Sequence, residues 1–296
     1  MTRRSIVLLV ATASLWGASY VLIKYSLEWL SPGGVAFARS ALASTLLVPI
    51  ALRRGALGPL RDRPGAVLVL AVTQLAGPSL LIAWAEQRIS SALAGILVAA
   101  APLFVVLLAV VVDQAERASG LRLVGVVIGF AGVGALLGVD TGGDGVLLGG
   151  ALVLLSAFGY AVSALLLKHR FADVQPIGAL AGAMALSALL LLPAAVAAPP
   201  TEGPSAEALI ATLLLCFGGS GLAFLLFYTL NAEVGPARAS IIAYLGPGFA
   251  VTYGAVLLDE PIGPWTIAGL ALILIGSYLA SGGRPSRLLG RRAARP

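Results

Sequence analysis

Two groups of aromatic and hydroxyl side chains recur in two apolar stretches of this sequence. The groups are Trp16, Ser19 and Tyr20 in the first stretch, and Ser156, Tyr160 and Ser163 in the second. Spacings of three and four residues place side chains on one face of a helix. Both faces could bind an amphipathic solute by ring contacts and hydrogen bonds. In the alternative interpretation, which stays open, the serines bond to their own helices and the rings only pack.

Arg39 and Gln74 are polar residues inside apolar stretches, where exposure to lipid would be costly. The Arg39 guanidinium could clamp a carboxylate or phosphate, because it binds oxyanions through two parallel hydrogen bonds. It could instead extend to the membrane interface or bind helix-end carbonyls, and we expect this structural role. Gln74 should face the protein interior, toward either a solute or another helix.

Four further residues are candidates for gates or hinges, namely Trp84, Pro102, Tyr228 and Pro247. Trp84 and Tyr228 lie near predicted helix ends, where aromatic residues often form a belt at the membrane surface. Pro102 and Pro247 are predicted in mid-helix, where proline removes a backbone hydrogen bond. They could act as hinges or as static kinks.

The sequence offers few groups for catalysis. It contains one cysteine and one histidine, and we place no carboxylate in the middle of a predicted span. Glu86, Glu116 and Glu260 fall at predicted helix ends, where solvated or capping carboxylates are expected. No Gly-rich phosphate loop ending in Gly-Lys-Ser/Thr occurs. We therefore predict no catalytic residue, metal site or cofactor, and an intramembrane enzyme is a weak alternative.

The composition indicates what positions these residues. Of the 296 residues, 59% are hydrophobic and 11% are charged, with a mean hydropathy of +1.00. A soluble domain carries about 25% charged residues. We predict an all-α membrane protein with ten transmembrane helices, because each crossing needs about 20 apolar residues. The predicted spans are residues 5–23, 33–52, 65–85, 92–112, 121–139, 146–167, 176–197, 208–230, 237–258 and 264–281.

The distribution of Lys and Arg predicts the orientation. Sixteen of these 19 residues fall on the side of the N-terminus, two fall on the other side, and Arg39 lies within a span. This bias places both termini in the cytoplasm. The basic tail, residues 284–296, is expected to lie against anionic lipid, so the high pI does not indicate nucleic acid. The composition suggests a bacterial inner membrane. The oligomeric state stays open, and a monomer is compatible with the sequence.

The two halves of the chain match at an offset near 144 residues. Lys24 and Pro32 match Lys168 and Pro176, and Gly77 matches Gly221. We predict two five-helix repeats, residues 1–140 and 141–283. Because five is odd, the second repeat would be inverted, an arrangement that places a central cavity between the halves of many transporters.

The chain resembles the EamA-type members of the drug/metabolite transporter superfamily. The resemblance rests on Leu15–Lys24, on Pro32 followed by Arg39, and on Ser91–Pro102 followed by Glu116, with a second copy in Gly235–Pro247 followed by Glu260. It implies a ten-helix secondary transporter, often an exporter of amino acids or related small amphipathic metabolites, working by alternating access. A lipid or lipid-linked sugar flippase of the same fold is the alternative. The second copy departs from the pattern at Ala183, which takes the place of Arg39.

Overall fold

The computed structural model describes residues 1–112, 120–139 and 145–282, and these residues form helices and connecting turns without a β-strand. Glu116, the predicted boundary between the halves at 140/141, and the predicted tail at 284–296 lie outside the described residues.

Eight of the described helices are long and apolar enough to cross a membrane, judged by length and composition. They are α1 (Arg3–Ser26), α2 (Pro32–Arg53), α3 (Pro64–Glu86), α4 (Ser91–Ala109), α5 (Leu121–Gly138), α6 (Val146–Arg170), α7 (Pro176–Ala197) and α8 (Ala206–Val234). Two further apolar helices are shorter, α9 (Ile242–Leu257) and α10 (Pro264–Ala280). The ninth predicted span began too early, because the short helix Pro236–Ala239 is separated from α9 by a turn. A single 3₁₀ turn, Gly58–Leu60, precedes α3.

Hydroxyl side chains and prolines define where several helices begin. The side chains of Thr2, Ser31, Ser90 and Ser205 each accept a hydrogen bond from a backbone N–H in the following turn. The first N–H groups of a helix lack intrahelical partners, and such caps satisfy one of them. Proline occupies the first turn of α2, α3, α7 and α10, where no N–H is needed.

Two helices contain a wider, π-helical segment at related positions. In α3, Pro64–Leu70 is followed by the π segment Ala71–Ala76 and then by Gly77–Glu86. In α8, the π segment Leu214–Leu222 separates Ala206–Leu213 from Ala223–Val234. Such segments are rare and occur frequently at functional sites.

α4 is broken near its middle, and this corrects the prediction for Pro102. The helix runs over Ser91–Val98, turns at residues 99–100, and resumes as Ala101–Val112. Pro102 thus lies in the first turn of the second segment rather than in mid-helix. The Ser277 hydroxyl of α10 donates to the Ala99 carbonyl oxygen at 3.1 Å, which satisfies a backbone acceptor at the break. Pro247 does lie inside its helix, as predicted.

The helices pack in a reciprocal pattern. α2 lies along α7 and α5 along α10, while α1 packs against α8 and α9, and α6 packs against α3 and α4. Ser40 and Ser187 form a buried hydrogen bond of 2.9 Å between α2 and α7.

The two ends of the bundle are held by different polar contacts. At one end, Glu260 accepts hydrogen bonds from the N–H groups of Ser91 (2.7 Å) and Ala92 (2.9 Å), and so caps α4 with a carboxylate. At the other end, Arg63 forms a two-point ion pair with Asp173 at 2.6 and 2.7 Å. Hydrogen bonding to the Arg63 guanidinium holds the pKa of the Asp173 carboxyl below its usual range.

Glycines allow α5 and α10 to approach closely. A Cβ on Gly125 would lie 2.7 Å from the carbonyl oxygen of Gly276, and a Cβ on Gly276 would lie 2.5 Å from the Cα of Gly129. These contacts are with backbone atoms, which cannot move aside as a side-chain tip can. A Cβ on Gly134, also in α5, would meet no atom within 4 Å.

We predict that Gly125→Val separates α5 from α10 and destabilises the purified protein, whereas Gly134→Val leaves its stability nearly unchanged. Overpacking of this kind costs about 1–3 kcal/mol. Thermal unfolding in detergent, monitored by size-exclusion chromatography, measures the difference in stability between the two variants. Equal melting temperatures for the two variants would contradict the assigned interface.

Candidate functional site

A central cavity of about 1080 Å³ lies among the helices. Its inner limit lies near Ile23 and Ile82, below the end of the bundle that Glu260 caps. From there it extends toward the opposite end, where Arg122 and Phe171 line it. Residues of α1, α2, α3, α4, α6, α7, α8 and α9 line it, together with residues at one end of α5 and of α10. The lining residues therefore reach one end of the bundle and stop short of the other.

Aromatic rings form one wall of this cavity. Trp16 lies 5.5 Å from Phe224 in an edge-to-face contact and 5.2 Å from Phe227, measured between ring centroids. Tyr228 lies 6.4 Å from Phe224 and 5.8 Å from Phe227. All four rings line the cavity, so this wall offers a large, weakly polar surface.

A second part of the wall is polar and carries a positive charge. Arg39 lines the cavity, and its Nε donates a 3.2 Å hydrogen bond to Ser220 Oγ. The positive charge of Arg39 interacts electrostatically with the hydroxyl groups of Tyr20 and Tyr160. Among the described residues, no carboxylate approaches Arg39 within ion-pair distance. The guanidinium thus supplies a cationic donor on an otherwise apolar wall, and this geometry suits an oxyanion.

Most of the side chains singled out from the sequence lie on the cavity wall. These are Trp16, Ser19, Tyr20, Gln74 and Tyr160 among the predicted solute ligands, and Pro102, Tyr228 and Pro247 among the predicted gates and hinges. Gln74 comes from the π segment of α3, which turns it toward the cavity. Ser19 also donates to the Leu15 carbonyl oxygen at 2.9 Å, as the packing interpretation proposed.

Ser156 and Ser163 do not line the cavity, contrary to the sequence-based prediction. Both are fully buried between helices. Ser156 donates to the Leu152 carbonyl oxygen at 3.0 Å. Ser163 donates to the Gly159 carbonyl oxygen and lies 2.7 Å from Thr73 Oγ1, which joins α6 to α3. Helical spacing predicts which side chains share a face of the helix, but not whether that face contacts a cavity or another helix. Here it contacts other helices.

Trp84 also lies away from the cavity. Its side chain is 44% exposed on the outer surface of α3, where membrane lipid would cover it. This position agrees with the aromatic belt that the sequence offered as the alternative to a gate.

Several residues of the interior could not be identified from the sequence. Phe224 and Phe227 line the cavity although their apolar helix gave no sign of it. Glu86, expected as a solvated or capping carboxylate, is only 1% exposed. Its place at the end of an apolar helix gave no sign of this burial. Among the described residues, no three His, Cys, Asp or Glu side chains meet at a point that could hold a metal ion.

Comparisons with known proteins agree on one class. The chain is 28% identical to an uncharacterized transporter of Archaeoglobus fulgidus, over 92% of this chain and 97% of the relative. It is 28% identical to the uncharacterized inner membrane transporter YedA of Escherichia coli (strain K12), over 92% and 90%. A probable terminal-alkyne amino-acid exporter of Streptantibioticus cattleyicolor is 29% identical, over 96% and 94%.

A solved crystal structure shares the fold. It has a TM-score of 0.66 at 23% sequence identity and covers 99% of this chain and 100% of its own. The sequence profile of the EamA-like transporter family matches the chain twice, over residues 3–138 and 147–282. Together with the apolar helices and the transporter relatives, this match shows that the chain is a multi-pass integral membrane protein and belongs to the EamA-like transporter family.

Proposed function

We propose that this transporter exports small amphipathic metabolites such as amino acids by alternating access. The observation that carries the proposal is the central cavity, whose lining stops short of the Glu260 end and reaches the Arg63–Asp173 end. A transporter must expose its solute site to one side at a time. A cavity sealed at one end only is the geometry expected of one such state.

The lining of the cavity supports the class of solute. The aromatic wall around Trp16 suits an apolar side chain, and Arg39 suits a carboxylate or another oxyanion. An amino acid combines both features. The name of the relative from Streptantibioticus cattleyicolor, an amino-acid exporter, supports the same class at 29% identity.

The reciprocal packing supports two inverted five-helix repeats, residues 1–140 and 141–283. The family profile matches once in each half. The π segments of α3 and α8 occupy positions related by the sequence offset near 144. If α1 corresponds to α6, then the contacts of α1 with α8 and α9 correspond to those of α6 with α3 and α4. Exchange between two such arrangements would open the cavity at the other end.

The proposed orientation places both termini in the cytoplasm of a bacterium with the chain in its inner membrane. The excess of Lys and Arg lies in the segments on the N-terminal side. With this orientation the cavity faces the cytoplasm, where an exporter collects its solute. YedA, an inner membrane transporter by name, supports the membrane assignment.

The proposal is tested by uptake into proteoliposomes that contain the purified protein. A panel of labelled amino acids and related metabolites is offered with and without a pH gradient. We expect saturable uptake of at least one amphipathic solute. If well-folded protein moves none of them but speeds the exchange of labelled lipids between leaflets, the flippase alternative replaces the exporter.

We predict that Trp16→Ala and Tyr160→Ala impair transport without loss of membrane insertion. Each substitution removes an aromatic contact worth about 0.5–1.5 kcal/mol beyond its buried area. The expected result is a rise in KM of up to roughly tenfold. Trp84→Ala is the control, because it removes the same kind of ring from the outer surface. Normal transport by both cavity variants would show that the lining assignment is wrong.

We further predict that Arg39→Gln weakens binding of a solute with a carboxylate. A hydrogen bond to a charged group contributes about 1.5–3 kcal/mol, which is roughly 10- to 100-fold in affinity. Competition assays compare an amino acid with its amide. The wild type should prefer the acid, and the variant should lose that preference. An equal loss of both ligands would instead support the structural role of Arg39.

A further inference from the structure

Glu86 is an ionisable group buried without a polar partner. It is the last residue of α3, its side chain is 1% exposed, and neither carboxylate oxygen has a hydrogen-bond partner among the described residues. Burial of an ionised carboxylate without partners is strongly unfavourable, because the charge loses its hydration and gains nothing in return. A neutral, protonated carboxyl avoids most of that cost.

Several titratable or charged groups surround Glu86. They are Tyr20 and Lys24 from α1, Arg39 from α2, Tyr160 from α6 across Tyr20, Glu260 from the turn after α9, and exposed Arg88 just beyond α3. The segment of α4 that packs here adds no charged side chain. Of these, Lys24, Arg39 and Glu260 act on the charge of Glu86, and none of the cations in the described residues forms an ion pair with it.

Lys24 is the cation with the most direct connection to this site, but it is engaged elsewhere. Its Nζ donates to the backbone carbonyl oxygens of Glu86 and Ile89, the latter at 2.8 Å. A cation at the end of a helix stabilises the unpaired carbonyls there. Lys24 therefore holds the backbone of the Glu86 turn and leaves its carboxylate unpaired.

The fold does not require a carboxylate at this position. At the repeat offset, Trp84 matches Tyr228 and Gln87 matches Asn231, so Glu86 matches Leu230. Leu230 is fully buried in an apolar cluster with Leu9 and Ala13 of α1. The corresponding turn of α8 thus packs well with an apolar residue. A structural role alone would favour an apolar residue in α3 as well.

We propose that Glu86 is a proton-binding site, protonated while the cavity is closed at the Lys24 end, and that its deprotonation is coupled to the change of access. The coupling rests on the transport proposed above, whereas the proton site does not. The carboxyl group releases one proton and becomes a carboxylate, and the proton passes to water in the open cavity before access changes.

The neighbours of Glu86 indicate how the charge is accommodated after proton release. Lys24 lies one hydrogen bond from the Glu86 backbone, so a small rearrangement would pair its ammonium with the new carboxylate. That pairing would withdraw Lys24 from the carbonyl oxygens of Glu86 and Ile89. The contact that holds the closed end would then be weakened. Tyr20 lines the cavity and lies within electrostatic reach of Glu86, so it connects a bound solute to this site.

The proton site is tested first, by infrared difference spectroscopy of the purified protein during a pH titration. The readout is the C=O stretching band of protonated carboxylic acids. Exposed glutamates ionise near pH 4.3, so a band that persists at neutral pH reports a buried acid. We expect this band in the wild type and in Glu28→Gln, which alters an exposed glutamate at the same end. We expect its loss in Glu86→Gln. Identical spectra for the wild type and Glu86→Gln would overturn the proposal.

Coupling is tested next, with the solute identified by the uptake panel. Glu86→Gln and Glu86→Leu remove the proton site, and the second copies the apolar residue of the other repeat. We expect both variants to exchange labelled for unlabelled solute at equal pH and to lose the accumulation that a pH gradient drives. Accumulation at the wild-type level in either variant would overturn the coupling. If no solute moves even through the wild type, the proposed export fails, while the spectra still decide the proton site.

Discussion

The structure depends on one constraint: polar groups surrounded by apolar side chains need partners within the protein. The Glu260 carboxylate satisfies two backbone N–H groups at the start of α4, and the Ser277 hydroxyl satisfies the Ala99 carbonyl at the break in that helix. Lys24 does the same for the end of α3. Each of these contacts joins elements far apart in the sequence. Satisfying the backbone therefore also fixes how the helices are arranged.

The same constraint makes the exceptions informative. Glu86 and the Asn231 side-chain oxygen are buried and have no partner among the described residues, and Arg39 forms a hydrogen bond to Ser220 without a carboxylate of the described residues within ion-pair distance. Arg39 and Asn231 line the cavity, and Glu86 lies behind its wall. These three polar groups thus lie where a solute or a proton could complete their interactions.

The helical architecture could be predicted from the sequence because apolar length and flanking charge report directly on membrane crossing. The π segments of α3 and α8 could not be predicted. A π segment adds one residue to a helical turn, and this leaves the apolar pattern of the span unchanged. The site was predictable where a polar residue interrupts an apolar face, as at Trp16, Tyr20 and Gln74. Ser156 and Ser163 were misplaced because helical phase does not say whether a face meets a cavity or another helix. Glu86 was expected at a solvated helix end but is buried. Its burial depends on segments that are distant in the sequence.

If the two halves correspond as proposed, they share their packing but differ in chemistry at the positions of Arg39 and Glu86. Close crossings such as α5 with α10 depend on glycines in both partners, so duplication of the helices preserves them. Arg39 and Glu86 correspond to Ala183 and Leu230 in the second half, which are both fully buried. The proposed solute site needs one partner for an oxyanion, and the proposed coupling site needs one proton. A second charge at Ala183 or Leu230 would have to be buried without a ligand. The cost of that burial is a physical reason for the two proposed repeats to differ at these two positions.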